Sequence, residues 1–133
     1  RVFEGHTHHV MGVDWNSIGR ELSTAGADKV IKIWDAETGT QKRTIAGYGK
    51  DVTSLAFVEL TDQIIPASGD KTVRKNSTTT GGEVRQFGGY ADFVYSVAAS
   101  ADGKKLAAGG QDSVVRVWAD NGKVFVEFKP PVE

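Results

Sequence analysis

Three histidines fall within four positions near the N-terminus, His6, His8 and His9, and Asp14 follows closely. Imidazole nitrogens and carboxylate oxygens are ligand types that hold transition metals, so a metal site is the first chemistry to weigh. The preferred alternative places His6 in a buried hydrogen-bond network and His8 and His9 on a solvent-facing loop, and no metal or other cofactor is expected. A second set, Lys32, Arg74 and Arg116, recurs every 42 residues. These cations could form a basic ladder for an acidic ligand. The reading favoured is that their aliphatic stems cover sheet surface while their charges reach water. Asn76-Ser77-Thr78 fits the N-glycosylation pattern, which has meaning only in a secreted chain, and chance accounts for it.

The elements that carry these residues are short. Segments beginning at Val10, Val52 and Val94 align without a gap at a spacing of 42 residues. Gly5 falls on Gly47 and Gly89, Val13 on Leu55 and Val97, Leu22 on Ile64 and Leu106, and Asp28 on Asp70 and Asp112. A fixed period of about 40 to 45 residues marks a repeat architecture in which each unit buries its apolar faces on its neighbours. No stretch keeps the 3.6-residue apolar period of a helix. In the first unit, strands are predicted at Val10 to Trp15, Leu22 to Ala25, Val30 to Trp34 and about Gln41 to Ile45, parted by Gly, Asn, Asp and Ser. Val10 and Val13 lie an odd step apart, which puts them on opposite faces of a regular strand, so a β-bulge between them is expected. The same step recurs at Val52 and Leu55, and at Val94 and Val97.

Composition removes several classes of function. Sixteen basic and seventeen acidic residues give a net charge of −1, and no run of five like charges appears, so neither a nucleic-acid nor a membrane-surface partner is expected. There is no cysteine, which excludes disulfides, thiolate metal sites and cysteine nucleophiles. No apolar stretch approaches the roughly 20 residues of a membrane helix, and Arg1 to Gly5 does not resemble a signal peptide. A soluble chain is expected, its compartment left open with the cytoplasm preferred.

Four-stranded units of this period, with Gly5-His6, the segment Leu22 to Asp28 and Trp34-Asp35 as carrying residues, resemble the WD-repeat family over essentially the whole chain. The resemblance implies an all-β fold of three four-stranded antiparallel propeller blades in one segment, residues 1–133, with repeats at about 5–46, 47–88 and 89–128. It also implies a buried chain of hydrogen bonds joining Trp34, Thr24, His6 and Asp28. Hydroxyl, imidazole and carboxylate invite comparison with a catalytic triad, but a buried nucleophile without oxyanion donors argues for a structural role, and no catalytic residue is expected. The second repeat has Tyr48, Pro66, Asp70 and Asn76 at those positions and the third has Tyr90, Ala108, Asp112 and Trp118. Blade one alone is then expected to hold the full network. Blade two, with Thr72 to Asn76 where an apolar third strand belongs, is expected to be weakest, and Val73 to Thr79 most mobile.

In the family, exposed positions at one end of the ring lie just before and within the first-strand bulge and before the turn aspartate. Here they are Thr7, His9 and Ala27; Gly49, Asp51 and Gly69; and Ala91, Phe93 and Gln111. His9, Asp51, Phe93 and Gln111 have the character to contact a protein or peptide, although Phe93 could equally pack against Tyr95. The resemblance thus implies a non-catalytic interaction scaffold. The alternatives are a structural or engineered fragment that chiefly self-assembles and, less favoured, an enzyme with a site in the funnel. Closed propellers have 4 to 8 blades in the usual case, so three need company. Two copies giving six blades are preferred over three giving nine, and if the chain is a piece, the missing blades are expected before Arg1.

Overall fold

The computed structural model describes residues 1–131, and its elements are twelve β-strands with no helix among the described residues. They form three antiparallel four-stranded sheets. Blade one holds β1 (Val10–Trp15), β2 (Glu21–Gly26), β3 (Ile31–Asp35) and β4 (Gln41–Ile45). Blade two holds β5 (Val52–Phe57), β6 (Gln63–Ser68), β7 (Val73–Ser77) and β8 (Glu83–Phe87). Blade three holds β9 (Val94–Ala99), β10 (Lys105–Gly110), β11 (Val115–Ala119) and β12 (Val124–Phe128). In each sheet the strands lie side by side in chain order. The turn between second and third strands places Lys29, Lys71 and Ser113 in the left-handed region, at φ of 68°, 74° and 64°, so the turn repeats with the sequence.

The odd step in each first strand is absorbed by an irregularity. Val10 faces Gly26 while Gly12 faces Ala25, Val52 faces Ser68 while Ser54 faces Ala67, and Val94 faces Gly110 while Ser96 faces Gly109. Met11, Thr53 and Tyr95 are the extra residues. With the bulge in place, Val52 and Leu55 are both buried against blade one, as two-sided burial requires.

The core lies in the seams between blades. Ala25, Ile31, Ile33 and Ile45 of blade one pack on Tyr48, Val52, Leu55, Phe57 and Ile64 of blade two. Ile65, Ala67, Val73 and Phe87 pack on Tyr90, Val94, Leu106 and Trp118 of blade three. Polar groups fasten the seams as well. Asp14 accepts the Phe57 N–H at 2.9 Å, which gives this carboxylate a fastening role between blades. The Thr53 hydroxyl donates to the Val94 carbonyl at 2.5 Å. Arg43 donates from its guanidinium to the Thr78 and Thr79 carbonyls in the outer turn of blade two, at 3.2 and 2.5 Å.

The outer faces of the three-blade stack are open. Val10, Val13 and Trp15 on blade one are 55%, 61% and 53% exposed, although their counterparts in blade two are buried. At the other end a depression of about 280 Å³ is lined by Val97, Ala107, Gly109 and Val115, among others. Ala107, Gly109 and Val115 stand where blade two presents Ile65, Ala67 and Val73 to its neighbour. Phe128, the counterpart of the buried Ile45 and Phe87, is 58% exposed.

Candidate functional site

Each blade has a polar lock between its second and third strands, built differently in blade one than in the others. In blade one the Trp34 indole N–H donates to Thr24 Oγ1 at 2.9 Å. His6 Nε2 lies 2.7 Å from the same oxygen, and His6 Nδ1 lies 2.9 and 3.0 Å from the two Asp28 oxygens. An indole only donates, so the Thr24 proton is free to point at His6 Nε2, and Nδ1–H then donates to Asp28. The bonds run in one direction, from Trp34 through Thr24 and His6 to Asp28. Burial works against ionisation of Asp28, but the Thr7 N–H and His6 outweigh it and hold its pKa below the usual carboxylate value. Gly26 makes room, because a Cβ there would sit 2.3 Å from Asp28 Oδ1 and 2.6 Å from His6 Nδ1.

This order of groups is that of a hydrolase triad, but access is wrong for one. Thr24 is buried and its oxygen is capped by the Trp34 N–H, so no carbonyl carbon can approach the hydroxyl. Its effect is to hold strands together.

Blades two and three use tyrosine and arginine instead. Arg74 pairs with Asp70 at 3.1 Å and lies 4.4 Å from the Tyr48 ring centroid. Arg116 pairs with Asp112 at 2.8 Å and lies 4.3 Å from the Tyr90 ring centroid. The Tyr48 hydroxyl donates to Asn76 Oδ1 at 3.1 Å, and the Tyr90 hydroxyl donates to the Ala108 carbonyl. Burial pushes both phenols up. At Asp70 burial opposes ionisation, and the Thr72 hydroxyl, the Gly49 N–H and Arg74 together lower its pKa; Asp112 is lowered likewise, with Arg116 as the main counterweight to burial.

Two expectations are corrected here. The charges of Arg74 and Arg116 end on carboxylates, and Lys32 is buried with its ammonium on Gln41 and Thr44, each at 3.1 Å. The polar third strand of blade two is well packed. Val73, Lys75, Asn76, Ser77 and Thr78 are all buried, and the Ser77 hydroxyl donates to Asp62 at 2.6 Å. Its central position, with a blade on either side, explains why. Trp118 is buried too, and its ring packs 5.7 Å from Phe87 and 5.9 Å from Tyr90. What sequence reasoning missed is that histidine occurs with lysine in repeat one, whereas tyrosine occurs with arginine in the other two. That co-occurrence was visible in the alignment.

The rim residues occupy equivalent backbone positions. The carbonyls of His9, Asp51 and Phe93 accept N–H bonds from Ala27, Gly69 and Gln111 at 2.8, 2.9 and 2.8 Å. Each blade therefore presents one of them at the same end of the stack. His8 and His9 are exposed, with ring centroids 4.6 Å apart, and no cluster of three metal-ligating side chains occurs among the described residues. Phe93 is half-buried, lying against Gly69 of blade two and 6.1 Å from Tyr95. Tyr95, which the sequence reading did not select, donates to Gln111 Oε1 at 2.6 Å. No helix among the described residues is long and apolar enough to cross a membrane.

Stacked four-stranded antiparallel sheets with a Trp–Thr–His–Asp lock define a propeller of the WD type. The chain belongs to the WD40 family, WD domain with G-beta repeat, which matches residues 1–35 and 81–119. The unmatched stretch between them, residues 36–80, takes in most of the second repeat, including the positions where proline and asparagine replace the lock residues. The chain is 29% identical over 86% of its length to Protein tipD of Dictyostelium discoideum and covers 18% of that protein. It is 32% identical over 86% of its length to WD repeat-containing protein SL1-17 of Schistosoma mansoni, covering 38% of it. It is 31% identical over 89% of its length to Nuclear distribution protein PAC1 of Arthroderma benhamiae, covering 28%. The chain thus spans well under half the length of each of these relatives.

Proposed function

We propose that this chain is a non-catalytic protein-interaction scaffold that presents one recognition residue per blade, His9, Asp51 and Phe93, with Gln111 beside Phe93, to a peptide or partner loop. The observation that carries this reading is the equivalence of the three backbone sites, which aims unlike side chains at one end of a rigid stack. Membership of a family of WD-repeat relatives supports it, and the sealed hydroxyl of Thr24 argues against chemistry at the lock. The expected result of a peptide-array screen is a set of binders whose signal falls about tenfold or more in Phe93→Ala. Binding unchanged by that substitution, in a folded variant, removes the assignment.

The bare faces favour a further role in assembly. Val10, Val13 and Trp15 project from one end, and the small residues Ala107 and Gly109 leave a hollow at the other, so blades of a second copy can stack head to tail. Two copies make six blades and are preferred to three copies making nine. Phe3 already sits 5.6 Å from Trp34, as Phe87 sits against Trp118. Closure between copies therefore requires Phe128 to take the seat of Phe3, and removal of residues 1–3 should strengthen association. Light scattering that shows a monomer for both forms would exclude self-closure while leaving the rim reading intact.

A further inference from the structure

We propose that the rim where blade two meets blade three is a recognition site for a cationic side chain, arginine or lysine, of a bound peptide, held between the Asp51 carboxylate and the Phe93 and Tyr95 rings. The proposal rests on the rim reading above and gives it a ligand class.

Gly69 brings the parts together. Its N–H donates to the Asp51 carbonyl at 2.9 Å, and a Cβ at this position would come within 2.5 to 2.9 Å of three carbons of the Phe93 ring. The backbone of Asp51 and the ring of Phe93 therefore flank one residue that has no side chain to separate them. Tyr95 is 50% exposed, inclined at 45° to Phe93, and its bond to Gln111 fixes the ring. That bond uses the amide oxygen and leaves the Gln111 N–H groups for a peptide carbonyl.

Asp51 differs from the other aspartates of these turns. Asp28, Asp70 and Asp112 all spend their carboxylates on internal donors, whereas the Asp51 carboxylate has no hydrogen-bond or ion partner among the described residues. Lys50, the preceding residue, and Lys71, in the turn after Gly69, are both exposed, and neither forms an ion pair among the described residues. An unpaired carboxylate on the residue whose carbonyl holds Gly69, with the Phe93 ring packed on that same glycine and Tyr95 beside it, supplies both things a guanidinium or ammonium needs, a counter-charge and a π surface. The corresponding place between blades one and two lacks this pairing. There the ring position is taken by Asp51 itself, the carboxylate position by His9, and Ala27 stands where Gly69 does.

The test is titration of the ¹⁵N-labelled full chain with the blocked tripeptide Ala-Arg-Ala, its citrulline counterpart and Ala-Glu-Ala. The arginine peptide is expected to shift the amides of Asp51, Gly69, Phe93 and Gln111, with citrulline and glutamate peptides at least about fivefold weaker. Asp51→Asn and Phe93→Ala, checked for native amide dispersion, are each expected to weaken the arginine peptide about three- to tenfold. The Asp51 contribution should shrink between about 50 and about 500 mM NaCl. Equal shifts by the arginine and citrulline peptides would overturn the cation proposal and leave the rim as a general peptide surface. Shifts confined to other amides, or none, would also overturn it, and the Phe93→Ala array experiment then decides the broader reading by itself.

Discussion

Blade one and blade two carry the same strands in the same order but are held by opposite strategies. Blade one closes on a run of neutral donors that begins at Trp34 and ends on one carboxylate, all within a single blade. Blade two closes on a charged pair, Arg74 with Asp70, under the ring of Tyr48, and its buried Lys75 reaches across the seam to Asp120 of blade three. A lock confined to its own blade stabilises that blade whatever stands beside it. A lysine that finds its counter-charge in the next sheet makes the neighbour part of the lock.

The sharpest way to break the comparison is Thr24→Val. It keeps the side-chain shape and removes the one oxygen shared by Trp34 and His6, so two buried groups lose their partner at once. A loss of about 2 to 4 kcal/mol is expected in urea unfolding, with an unchanged slope. A loss below about 1 kcal/mol would mean that water replaces the hydroxyl and that the run is not a lock.

Acid should reach both kinds of lock through their carboxylates. Asp28, Asp70 and Asp112 all have folded pKa values below the ordinary value. Their stabilisation is therefore fully present above the unfolded pKa near about 4 and is lost as pH falls through the lower folded values. Thermal unfolding should show a flat midpoint from about pH 7 to about pH 5 and a decline below about pH 4. Asp70→Asn should begin lower and decline less steeply. A variant that falls as steeply as the parent would show that Asp70 is not one of the titrating groups.

Much of this arrangement was legible in the residues. Gapless recurrence placed all three first strands, and the odd step repeated from Val52 to Leu55 announced the bulge, because period-two alternation leaves no other way to bury both of those residues. The His6, Thr24, Asp28 and Trp34 positions came from the family pattern, and the structure brings those four side chains together. The role of β7 was not legible, since a strand reading Val-Arg-Lys-Asn-Ser looks solvated until its neighbours are known. Polarity predicts exposure only where no partner waits, and the partners of Lys75 and Arg74 lie 45 and 4 residues away in sequence. Tyr95 was named only as a packing neighbour of Phe93 and not as a rim contact, because an extra residue in a bulge belongs to neither face of the strand pattern.

The seam between blades two and three separates pairing from stability. Lys75 is 3% exposed, whereas Ile33 holds the equivalent place in blade one. Burying an ammonium carries a desolvation cost that a pair with the half-exposed Asp120 offsets in part. Lys75→Met should therefore raise stability by about 1 kcal/mol, while Asp120→Ala, which strands the ammonium, should lower it by about 2 kcal/mol. Equal losses from both substitutions would mean that the ion pair contributes net stability, and the seam would then resemble a simple charged contact.

The smallest expected effect lies on the blade-one side. Ser23 Oγ is buried with no hydrogen-bond partner among the described residues, and the equivalent positions hold Ile65 and Ala107. A hydroxyl without a partner gives up its water for nothing in return, so Ser23→Ala should leave stability unchanged or raise it by up to about 1 kcal/mol. A loss of that size would show that the hydroxyl finds a partner in solution, most simply a water shared across the seam with blade two. The dry seam between Ile33 and Leu55 would then have a polar point of its own, and the contrast with the Lys75 seam would narrow to one of charge.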